Sequence, residues 1–552
     1  MVKEFKYDAK NNLIWLLLRP WILIPRVISI IFSISYFILI AFLLGRDEDQ
    51  ESQKRVGKIL LKTISNLGPC FIKLGQSLST RPDLVRQDWL EELTKLQDGL
   101  PPFSHKYSLN LIKKELGFSA QELFQDFPEE PIASASLGQV YKALLKDNYY
   151  VAVKIQRPDL EFIIRRDISI IRLICFFIAP ILPLNLGVSL GEIIDEFGRS
   201  LFNEIDYLKE AENAIKFAGL FKNNPKVTIP KVLLNLTSKL IITTSWIDGT
   251  KLRDRKELEA NRLNVTGLIS TGVISGLQQL LEFGYFHADP HPGNMFALKT
   301  NTKNIGHIAY VDFGMMDSIS DYDRLTLIGA IVHLINREYA LLAKDFQALG
   351  FLSKTQDLTP IIPALEQVLG GSLGEEVASF NFKKITDKFS ELMYKYPFRV
   401  PSRFALIIRA VVSQEGLALR LDPQFKIIGV AYPYVAKRLL TDNSAEIVNI
   451  LADVAFDKKG NIKHENIESL LNVILKDSNN LKTDFFPIIE GAIKLLISND
   501  GNILRKNLLM SLIKDDKINT SDLEKLIRLL ANKFSPVRIV KDIIGTPLTI
   551  NA

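Results

Sequence analysis

The residues best suited to chemistry lie in two neighbouring segments, residues 287–294, which read HADPHPGN, and residues 312–314, which read DFG. Asp289 and Asn294 are five residues apart in a loop punctuated by proline and glycine, and Asp312 follows eighteen residues after Asn294. This order suits phosphoryl transfer, in which one carboxylate accepts a proton while an amide oxygen and a second carboxylate hold Mg²⁺ on the phosphates. We therefore predict Asp289 as the catalytic carboxylate, and Asn294 and Asp312 as metal ligands.

A lysine on a strand supplies the other half of such a site. Residues 151–155 read VAVKI, a β-branched run with Lys154 in its interior, where a lysine is costly to bury unless it is paired. Glu210 lies on a predicted helix over residues 192–217 and is our candidate for the carboxylate that holds Lys154. Lys154 and Glu210 are therefore predicted to be catalytic residues together with Asp289.

A loop of small residues precedes that strand. Residues 133–140 read ASASLGQV and contain one glycine, so this is not the glycine-rich loop of ordinary kinases. Small residues still let backbone N–H groups approach phosphate, but alanine restricts φ where glycine would not, which predicts a stiffer loop. The candidate nucleotide-binding residues are Ala133, Ser134, Ala135, Ser136, Gly138, Gln139, Val140 and Lys154.

These segments, in this order, resemble the UbiB family of atypical protein-kinase-like ATPases, which are linked to quinone-lipid biosynthesis. Two more motifs carry the resemblance: residues 73–76 read KLGQ, the family's KxGQ signature, and residues 204–207 read EIDY, which contains its ExD signature. The resemblance implies an α+β, protein-kinase-like bilobal fold with a small β-sheet N-lobe, a helical C-lobe and helical extensions at both ends. It also implies ATP and Mg²⁺ as cofactors. Four residues would regulate the site, with the KxGQ lysine reaching into it, namely Lys73, Gln76, Glu204 and Asp206.

The expected organisation has five segments. They are an apolar, membrane-associated helical segment over residues 1–50, a helical KxGQ extension over 51–120, an N-lobe over 121–247, a C-lobe with the catalytic loop over 248–345, and a helical C-terminal extension over 346–552. Within the N-lobe, residues 227–234 and 239–246 look like two strands joined by a turn at Asn235. One helix should end at Gly68-Pro69, and the helix that carries Lys73 should begin there.

Two departures from ordinary kinases limit the chemistry. Ala288 stands where kinases place an arginine, so no phosphorylated activation loop is expected to be recognised there, and no Ala-Pro-Glu follows Asp312. The leading interpretation is a Mg²⁺-dependent ATPase or atypical kinase whose acceptor is water or a small lipid-like hydroxyl. The alternatives are a genuine protein or small-molecule kinase and a pseudokinase scaffold without turnover. The resemblance implies a membrane lipid or prenyl-quinone precursor, and quinone-biosynthesis enzymes, as partners.

Composition narrows the class of protein. The 552 residues carry a net charge of +6, and no Lys/Arg stripe is interleaved with aromatic residues, so nucleic acid is not an expected partner. Two cysteines provide no disulfide framework and fit a reducing compartment. His287 and His291 are separated by Pro290, which argues against a shared helical face, and we interpret both as loop-shaping residues rather than metal ligands.

Two apolar stretches raise the question of a membrane. Val27 to Gly45 is uncharged and long enough to span a bilayer, with basic residues before it and acidic residues after it. A span would put the catalytic residues outside the cell, away from ATP, by the positive-inside rule. A helix in the membrane interface, a helix buried against the protein and a true span remain alternatives, and we expect the catalytic domain on the cytoplasmic, ATP-containing side. Leu173 to Gly191 lies between Lys154 and Asp289, so we interpret it as a helix end, a proline-rich bend and the start of another helix.

Overall fold

A computed structural model describes residues 7–44, 50–78, 89, 92–93, 96, 101–180, 189–299, 306–370, 396, 398, 400–441, 444–457, 461–464, 466–468, 501–514, 517–518 and 524. The chain divides into two compact units. The first comprises Met1–Gly272, Tyr285–Ser318 and Arg399–Pro423, and the second Val273–Gly284, Ile319–Phe398 and Gln424–Ala552.

Four helices open the first unit, namely α1 (Ala9–Leu17), α2 (Pro20–Leu44), α3 (Gln50–Leu67) and α4 (Pro69–Leu78). The predicted boundary between the last two is confirmed, because α3 ends immediately before Gly68 and α4 begins at Pro69. Gly68 has a φ of +98°, a left-handed conformation that favours glycine and lets the chain turn sharply between the two helices. Among the described residues, one helix, α2, is long and apolar enough to cross a membrane.

The first sheet is antiparallel and surrounds Lys154. Two short helices, α5 (His105–Leu116) and α6 (Ala120–Leu123), lead into its strands, which are β1 (Phe124–Asp126), β2 (Ala133–Ser134), β3 (Gly138–Leu145), β4 (Tyr150–Gln156) and β6 (Ile241–Ser245). The strand order is β1-β3-β4-β6, with β2 paired to β3. Alternate residues of β4, Val151, Val153 and Ile155, are fully buried, so Lys154 points to the opposite face of the sheet.

The predicted single helix over residues 192–217 is wrong, because the chain breaks it in two. The helices are α7 (Leu160–Ile178), α8 (Leu190–Glu204) and α9 (Tyr207–Leu220). Asp206 has extended backbone and its side chain accepts a hydrogen bond from the Leu208 N–H, so it caps α9 instead of continuing α8. The expected helix end and helix start around the second apolar stretch are confirmed at Ile178 and Leu190, while residues 181–188 lie outside the described residues.

A second sheet and a two-stranded pair flank residues 287–294, the predicted catalytic loop. Their strands are β5 (Val227–Thr228), β7 (Thr250–Lys251), β8 (Tyr285–His287), β9 (Met295–Leu298), β10 (His307–Tyr310) and β11 (Met316–Ser318). The sheet order is β5-β10-β9-β7, and β8 pairs with β11. The predicted strand pair over residues 227–246 is confirmed in part: β6 forms the second strand and Thr244 bridges Val232 in antiparallel fashion. The first strand is wrong in extent and partner, because β5 covers only Val227–Thr228 and pairs with β10, and Asn235 lies in a 3₁₀ turn over Leu234–Leu236. Pro230 follows β5 closely, and because proline cannot donate a ladder hydrogen bond, it limits the length of that strand.

Helices make up most of the remaining described chain. The first unit adds α10 (Arg255–Ala260), the first part of α11 (Val265–Leu277), and α15 (Ser402–Leu421). The second unit contains α12 (Asp321–Ile335), α13 (Tyr339–Ala348), α14 (Ile361–Leu365), α16 (Ile427–Thr441), α17 (Ala445–Ala455), α18 (Asn502–Leu512), two π-helical turns at Gln278–Phe283 and Glu366–Gly370, and a hairpin of β12 (Ile513–Lys514) and β13 (Lys517–Ile518). The expected α+β class, mostly helical with antiparallel sheet, is confirmed. Much of the predicted C-terminal extension lies outside the described residues.

Candidate active site

Lys154 sits at the centre of the first sheet and is held by two carboxylates. In the strand register it lies between Val140 of β3 and Ile242 of β6. Its Nζ donates to Glu210 Oε1 at 2.8 Å and Oε2 at 2.9 Å, and lies 3.5 Å from Asp312 Oδ2. The structure thus brings together a strand lysine, a helix carboxylate and the DFG carboxylate, which come from three separate parts of the sequence.

The charges of these three groups are strongly coupled. Burial alone would lower the pKa of Lys154, but Asp312 and Glu210 outweigh it and hold that pKa well above its usual range. Burial also raises the pKa of Asp312, yet the neighbouring Lys154 ammonium and the Gly314 N–H lower it below its usual range overall. Burial raises the pKa of Glu210 to about 7, against the attraction of Lys154. Lys154 therefore stays protonated at neutral pH, ready to neutralise an anion.

The break between α8 and α9 aims two nearby carboxylates in different directions. Glu204, the last residue of α8, forms an ion pair with Lys73 of α4, whereas Glu210 in the first turn of α9 faces Lys154. Gln156 at the end of β4 donates to the Ile205 carbonyl at 2.6 Å and fixes the break against the sheet. Of the two ExD carboxylates, Glu204 thus contacts Lys73, while the Asp206 side chain is used as a helix cap.

Two strand pairings bring the catalytic loop beside the DFG segment. Met295 of β9 pairs with Tyr310 of β10, so Asn294, just before β9, lies next to the end of β10, and its carbonyl accepts from the Val311 N–H at 3.1 Å. On the other side, the Ala288 N–H donates to the Met315 carbonyl at 2.9 Å, next to the β8–β11 pair. Asp289, Asn294 and Asp312 are consequently brought close together in the first unit.

Both histidines of the loop hold backbone groups. His287 Nδ1 accepts from the Asp289 N–H at 3.1 Å, so its Nε2 carries the hydrogen and donates to the Asp312 carbonyl at 2.7 Å. Burial lowers the pKa of His287, which keeps the ring neutral. His291 Nδ1 accepts from the Gly293 N–H at 2.8 Å. These bonds agree with a loop-shaping role.

An arginine that sequence reasoning missed lies directly against Asp289. Arg409 of α15 is 5% exposed, and its guanidinium is 2.9 Å from Asp289 Oδ2. Burial would raise the pKa of Asp289, but Arg409, His291 and Lys73 together hold it below its usual range. The sequence analysis placed no site residue in the helices after Asp312. The only available signal was a charged residue within the apolar pattern of α15.

The small-residue loop is a tight turn between β2 and β3. The Ala135 N–H donates to the Gly138 carbonyl at 2.8 Å, while Arg157 binds the turn from outside through the Ala135 carbonyl at 2.8 Å and the Ser134 hydroxyl at 3.1 Å. A Cβ on Gly138 would lie only 2.6 Å from the Ile155 carbonyl, so glycine is required by close approach.

The side chains of the candidate nucleotide-binding residues do not all point toward Lys154. Gln139 is fully buried, and its amide bonds the Phe103 backbone, Ser108 and Tyr141 within the N-lobe. Only its backbone is therefore placed to contact a nucleotide. Beneath the turn, Tyr207 Oη is buried, has no hydrogen-bond partner and lies beside Gly138. The Tyr207 ring stacks on Lys154, whose Nζ is 5.0 Å from the ring centroid. A phosphate reaching Lys154 would offer this hydroxyl an acceptor, which fits the predicted nucleotide site.

The donor set also fits Mg²⁺ bound to phosphates. No group of three or more His, Cys, Asp or Glu side chains that could hold a metal occurs among the described residues. Asp312 and Asn294 would supply two oxygen ligands. Mg²⁺ in phosphate-transfer sites characteristically takes one or two carboxylates and completes its shell with phosphate and water. The Asn294 amide nitrogen donates to the Asp289 carbonyl at 3.3 Å, which turns the nitrogen rather than the oxygen toward the loop.

A small pocket lies beside the Lys73–Glu204 ion pair and Arg409. It has a volume of about 240 Å³ and is lined by Lys73, Gln76, Phe197, Ser200, Leu201, Glu204, Met315 and Arg409. Gln76 donates to the Leu96 carbonyl at 2.9 Å, and a Cβ on Gly75 would meet Leu96 at 2.5 Å, so α4 lies close against residue 96. The KxGQ helix therefore forms one wall of this pocket.

The chain is similar to proteins of a kinase-like family. A family model described as the ABC1 atypical kinase-like domain matches residues 95–346. The chain is 45% identical over 538 residues to the uncharacterized protein slr1919 of Synechocystis sp., covering 97% of this chain and 93% of that protein. It is 39% identical over 542 residues to the chloroplastic protein ACTIVITY OF BC1 COMPLEX KINASE 1 of Arabidopsis thaliana, covering 94% of this chain and 78% of the relative.

A solved structure, the Rv3197–erythromycin complex from Mycobacterium tuberculosis, is 23% identical to this chain. The two overlap over 63% of this chain and 88% of that one, with a TM-score of 0.45. The kinase-like fold class expected from the sequence is confirmed by the family match.

Proposed function

Because this chain belongs to the UbiB family of atypical kinase-like proteins, we propose that it is a Mg²⁺-dependent enzyme that removes the terminal phosphoryl group of ATP. The observation that carries the proposal is the convergence of Lys154, Glu210 and Asp312 within hydrogen-bond or ion-pair distance. A scaffold without turnover has no need to keep a strand lysine paired with two carboxylates beside an intact catalytic loop.

Each residue has a defined part in the proposed reaction. Lys154, oriented by Glu210, neutralises phosphate charge, and the backbone of the 133–140 turn covers the nucleotide. Asp312 and Asn294 are the residues that would hold Mg²⁺, which in such sites shields the phosphates and aligns them for in-line attack. Asp289 orients the attacking hydroxyl and takes its proton. Electrostatic positioning supplies most of the acceleration in reactions of this kind.

The acceptor side favours a small nucleophile. The pocket is lined by Lys73, Glu204 and Arg409, which form the Lys73–Glu204 and Arg409–Asp289 ion pairs. Water or a hydroxyl on a small lipid-like molecule therefore fits better than a peptide segment, and we favour ATP hydrolysis over protein phosphorylation.

The decisive test is Asp289→Asn, which keeps the size of the side chain and removes its charge. Phosphate release from Mg·ATP should be lost, while the affinity for a fluorescent ATP analogue should be retained. Asp147→Asn, at an exposed turn of the first sheet, is the matched control and should hydrolyse ATP like the unmodified protein. Undiminished hydrolysis by the Asp289 variant would refute the proposed role.

A second experiment separates hydrolysis from transfer. ATP labelled at its γ-phosphate is incubated with the protein and a lipid extract, and released phosphate is compared with label on protein and on lipid. Label on an acceptor in excess of free phosphate would favour a kinase. Failure of both reactions, with ATP still bound, would favour a scaffold.

We also propose that the enzyme acts at a membrane, with its catalytic domain on the ATP-containing side, and supports prenyl-quinone synthesis. Family membership and the apolar α2 helix support this part of the proposal. Expression in cells lacking their own UbiB protein should restore prenyl-quinone content, whereas the Asp289→Asn variant should not. Restoration by both forms would show that turnover is not required.

A further inference from the structure

The apolar helix α2 has two faces that differ in what covers them. Half-buried or buried positions recur at Ile22, Arg26, Ile30, Ser33 and Phe37, a spacing of three or four residues. Leu23 and Val27 are also half-buried, and the other positions between Ile22 and Phe37 are exposed. One face of the helix is therefore packed along most of its length, and the other is open.

The packed face is fastened to the rest of the first unit. Ile22, Val27 and Ile30 join the hydrophobic cluster that contains Leu60 and Ile64 of α3. Only five residues, 45–49, connect α2 to α3, so α3 must return along α2 as a helical hairpin.

An ion pair reinforces this attachment. Arg26 is the one charged residue of α2, and it points inward to Asp167 of α7, at 2.9 and 2.7 Å, while also donating to the Leu67 carbonyl. The Asp167 side chain is fully buried. Pulling α2 away from α3 and α7 would leave this carboxylate without one of its two arginine partners.

The open face is apolar from end to end. Its most exposed members follow helical spacing and include Trp21 (70%), Ile28 (61%), Phe32 (74%), Leu39 (55%) and Phe42 (60%). Soluble monomers rarely expose contiguous apolar surface on this scale. Lys10 and Arg19 precede the face, and Trp21 stands at its start, which is the arrangement found where helices lie in a lipid headgroup region.

A crossing of the bilayer by α2 conflicts with this packing. With α3 held antiparallel against it, a spanning α2 would carry the charged residues of α3 to the depth of the hydrocarbon, namely Glu51, Lys54, Arg55, Lys58 and Lys62. Each charged side chain at that depth is costly. A helix lying flat incurs no such cost, because only its open face leaves water.

We propose that α2 lies in the plane of the membrane, with its open face inserted into one leaflet and α3 on the protein side. A lipid bilayer suits the face better than a protein partner, because non-obligate protein interfaces are about as polar as the remaining surface, and this face carries no charge. It follows that the chain before α2 and the chain after it lie on the same side of the membrane. This inference deepens the membrane part of the proposed function and does not depend on ATP turnover.

The topology can be tested by labelling single cysteines. Lys10→Cys, before α2, and Lys58→Cys, on the exposed side of α3, are made separately in a chain carrying Cys70→Ala and Cys175→Ala. A membrane-impermeant maleimide is added to sealed inverted or right-side-out vesicles from the expressing cells. Both positions should label in the same vesicle orientation and neither in the other. Labelling of the two positions in opposite orientations would establish a span and overturn the proposal.

The inserted face is tested with pure lipid. The triple variant Ile28→Ser, Phe32→Ser and Leu39→Ser should lose at least about tenfold in binding to phosphatidylcholine–phosphatidylglycerol vesicles. The matched control, Phe118→Ser with Tyr149→Ser, removes exposed apolar residues elsewhere and should bind normally. No binding of the unmodified chain to pure lipid, or equal binding by both variants, would overturn the proposal. Neither result bears on ATP hydrolysis, which is measured separately.

Discussion

Replacing Glu210 with glutamine isolates the part of the site that holds Lys154. The substitution keeps the shape of the side chain and removes its charge. Lys154 Nζ donates to both Glu210 oxygens, at 2.8 and 2.9 Å, and a glutamine can accept only one of these bonds. Asp312, at 3.5 Å, then remains as the nearest carboxylate, and it is also a proposed metal ligand. Lys154 should consequently swing toward Asp312 and away from the phosphates.

The size of the effect follows from these contacts. A hydrogen bond between charged groups contributes about 1.5–3 kcal/mol. Losing one such bond from Lys154 should therefore cost about 2–3 kcal/mol of transition-state stabilisation, or a fall in kcat/KM of about 30- to 150-fold.

Stability and pH dependence should respond differently from activity. Burial raises the pKa of Glu210 to about 7, so folding does not favour its ionised form, and a neutral glutamine should change the unfolding free energy by less than about 1 kcal/mol. In the unmodified protein, kcat/KM should fall as the pH drops through about 7, because Glu210 takes a proton and releases Lys154. The variant should lack this acid limb.

Steady-state phosphate release across a pH series, with melting temperatures for each protein, checks all three expectations. Glu212→Gln is the matched control, since Glu212 is exposed on the same helix. The reasoning fails if the Glu210 variant keeps kcat/KM within about threefold and retains the acid limb. It also fails if activity and melting temperature fall together, which would indicate a folding role alone.

Three further perturbations test other parts of the site. Arg409→Gln should raise the pKa of Asp289 and lower kcat at unchanged ATP affinity, whereas the exposed Arg420→Gln on the same helix should do neither. Equal kcat values for the two variants would contradict a role for the Arg409–Asp289 contact. Tyr207→Phe removes a buried hydroxyl that has no hydrogen-bond partner. The free energy of unfolding should therefore stay constant or rise by up to about 1 kcal/mol, while the affinity for ATP falls. A loss of stability with unchanged ATP affinity would show that the hydroxyl serves the fold. Burial lowers the pKa of His287, so the contribution of its neutral ring to folding stability should be complete above about pH 6.5 and should be lost as the pH falls below that value. Thermal melts across a pH series should therefore show a shallower pH dependence for His287→Gln than for the unmodified protein.

The sequence was most informative where the candidate site residues lie in segments whose local structure is set by nearby residues. The loop around Asp289, the lysine of β4 and the boundary at Gly68 are each fixed by short-range rules of spacing, strand alternation and backbone conformation. Lys154 and Glu210 could be paired in advance because a lysine inside an apolar strand requires a partner. The structure places those residues together.

The errors arose where distant parts of the chain decide local structure. Periodicity over residues 192–217 continues through the break, and only the bond from Gln156 to the Ile205 carbonyl shows why the helix stops. The strand at Val227 pairs with β10, about eighty residues later, which no local pattern indicates. Arg409 was missed for the same reason, because a single arginine in an amphipathic helix does not specify its partner.

The ion pair at Arg409 has a practical consequence for anyone isolating the catalytic portion. The segment that matches the kinase-like family model runs from residue 95 to 346, yet Lys73 comes from before it and Arg409 from after it. A fragment trimmed to the matched segment would retain every expected motif residue from Lys154 to Asp312 while losing both cations that line the pocket next to Glu204. Measurements on such a fragment would describe a pocket different from that of the intact chain.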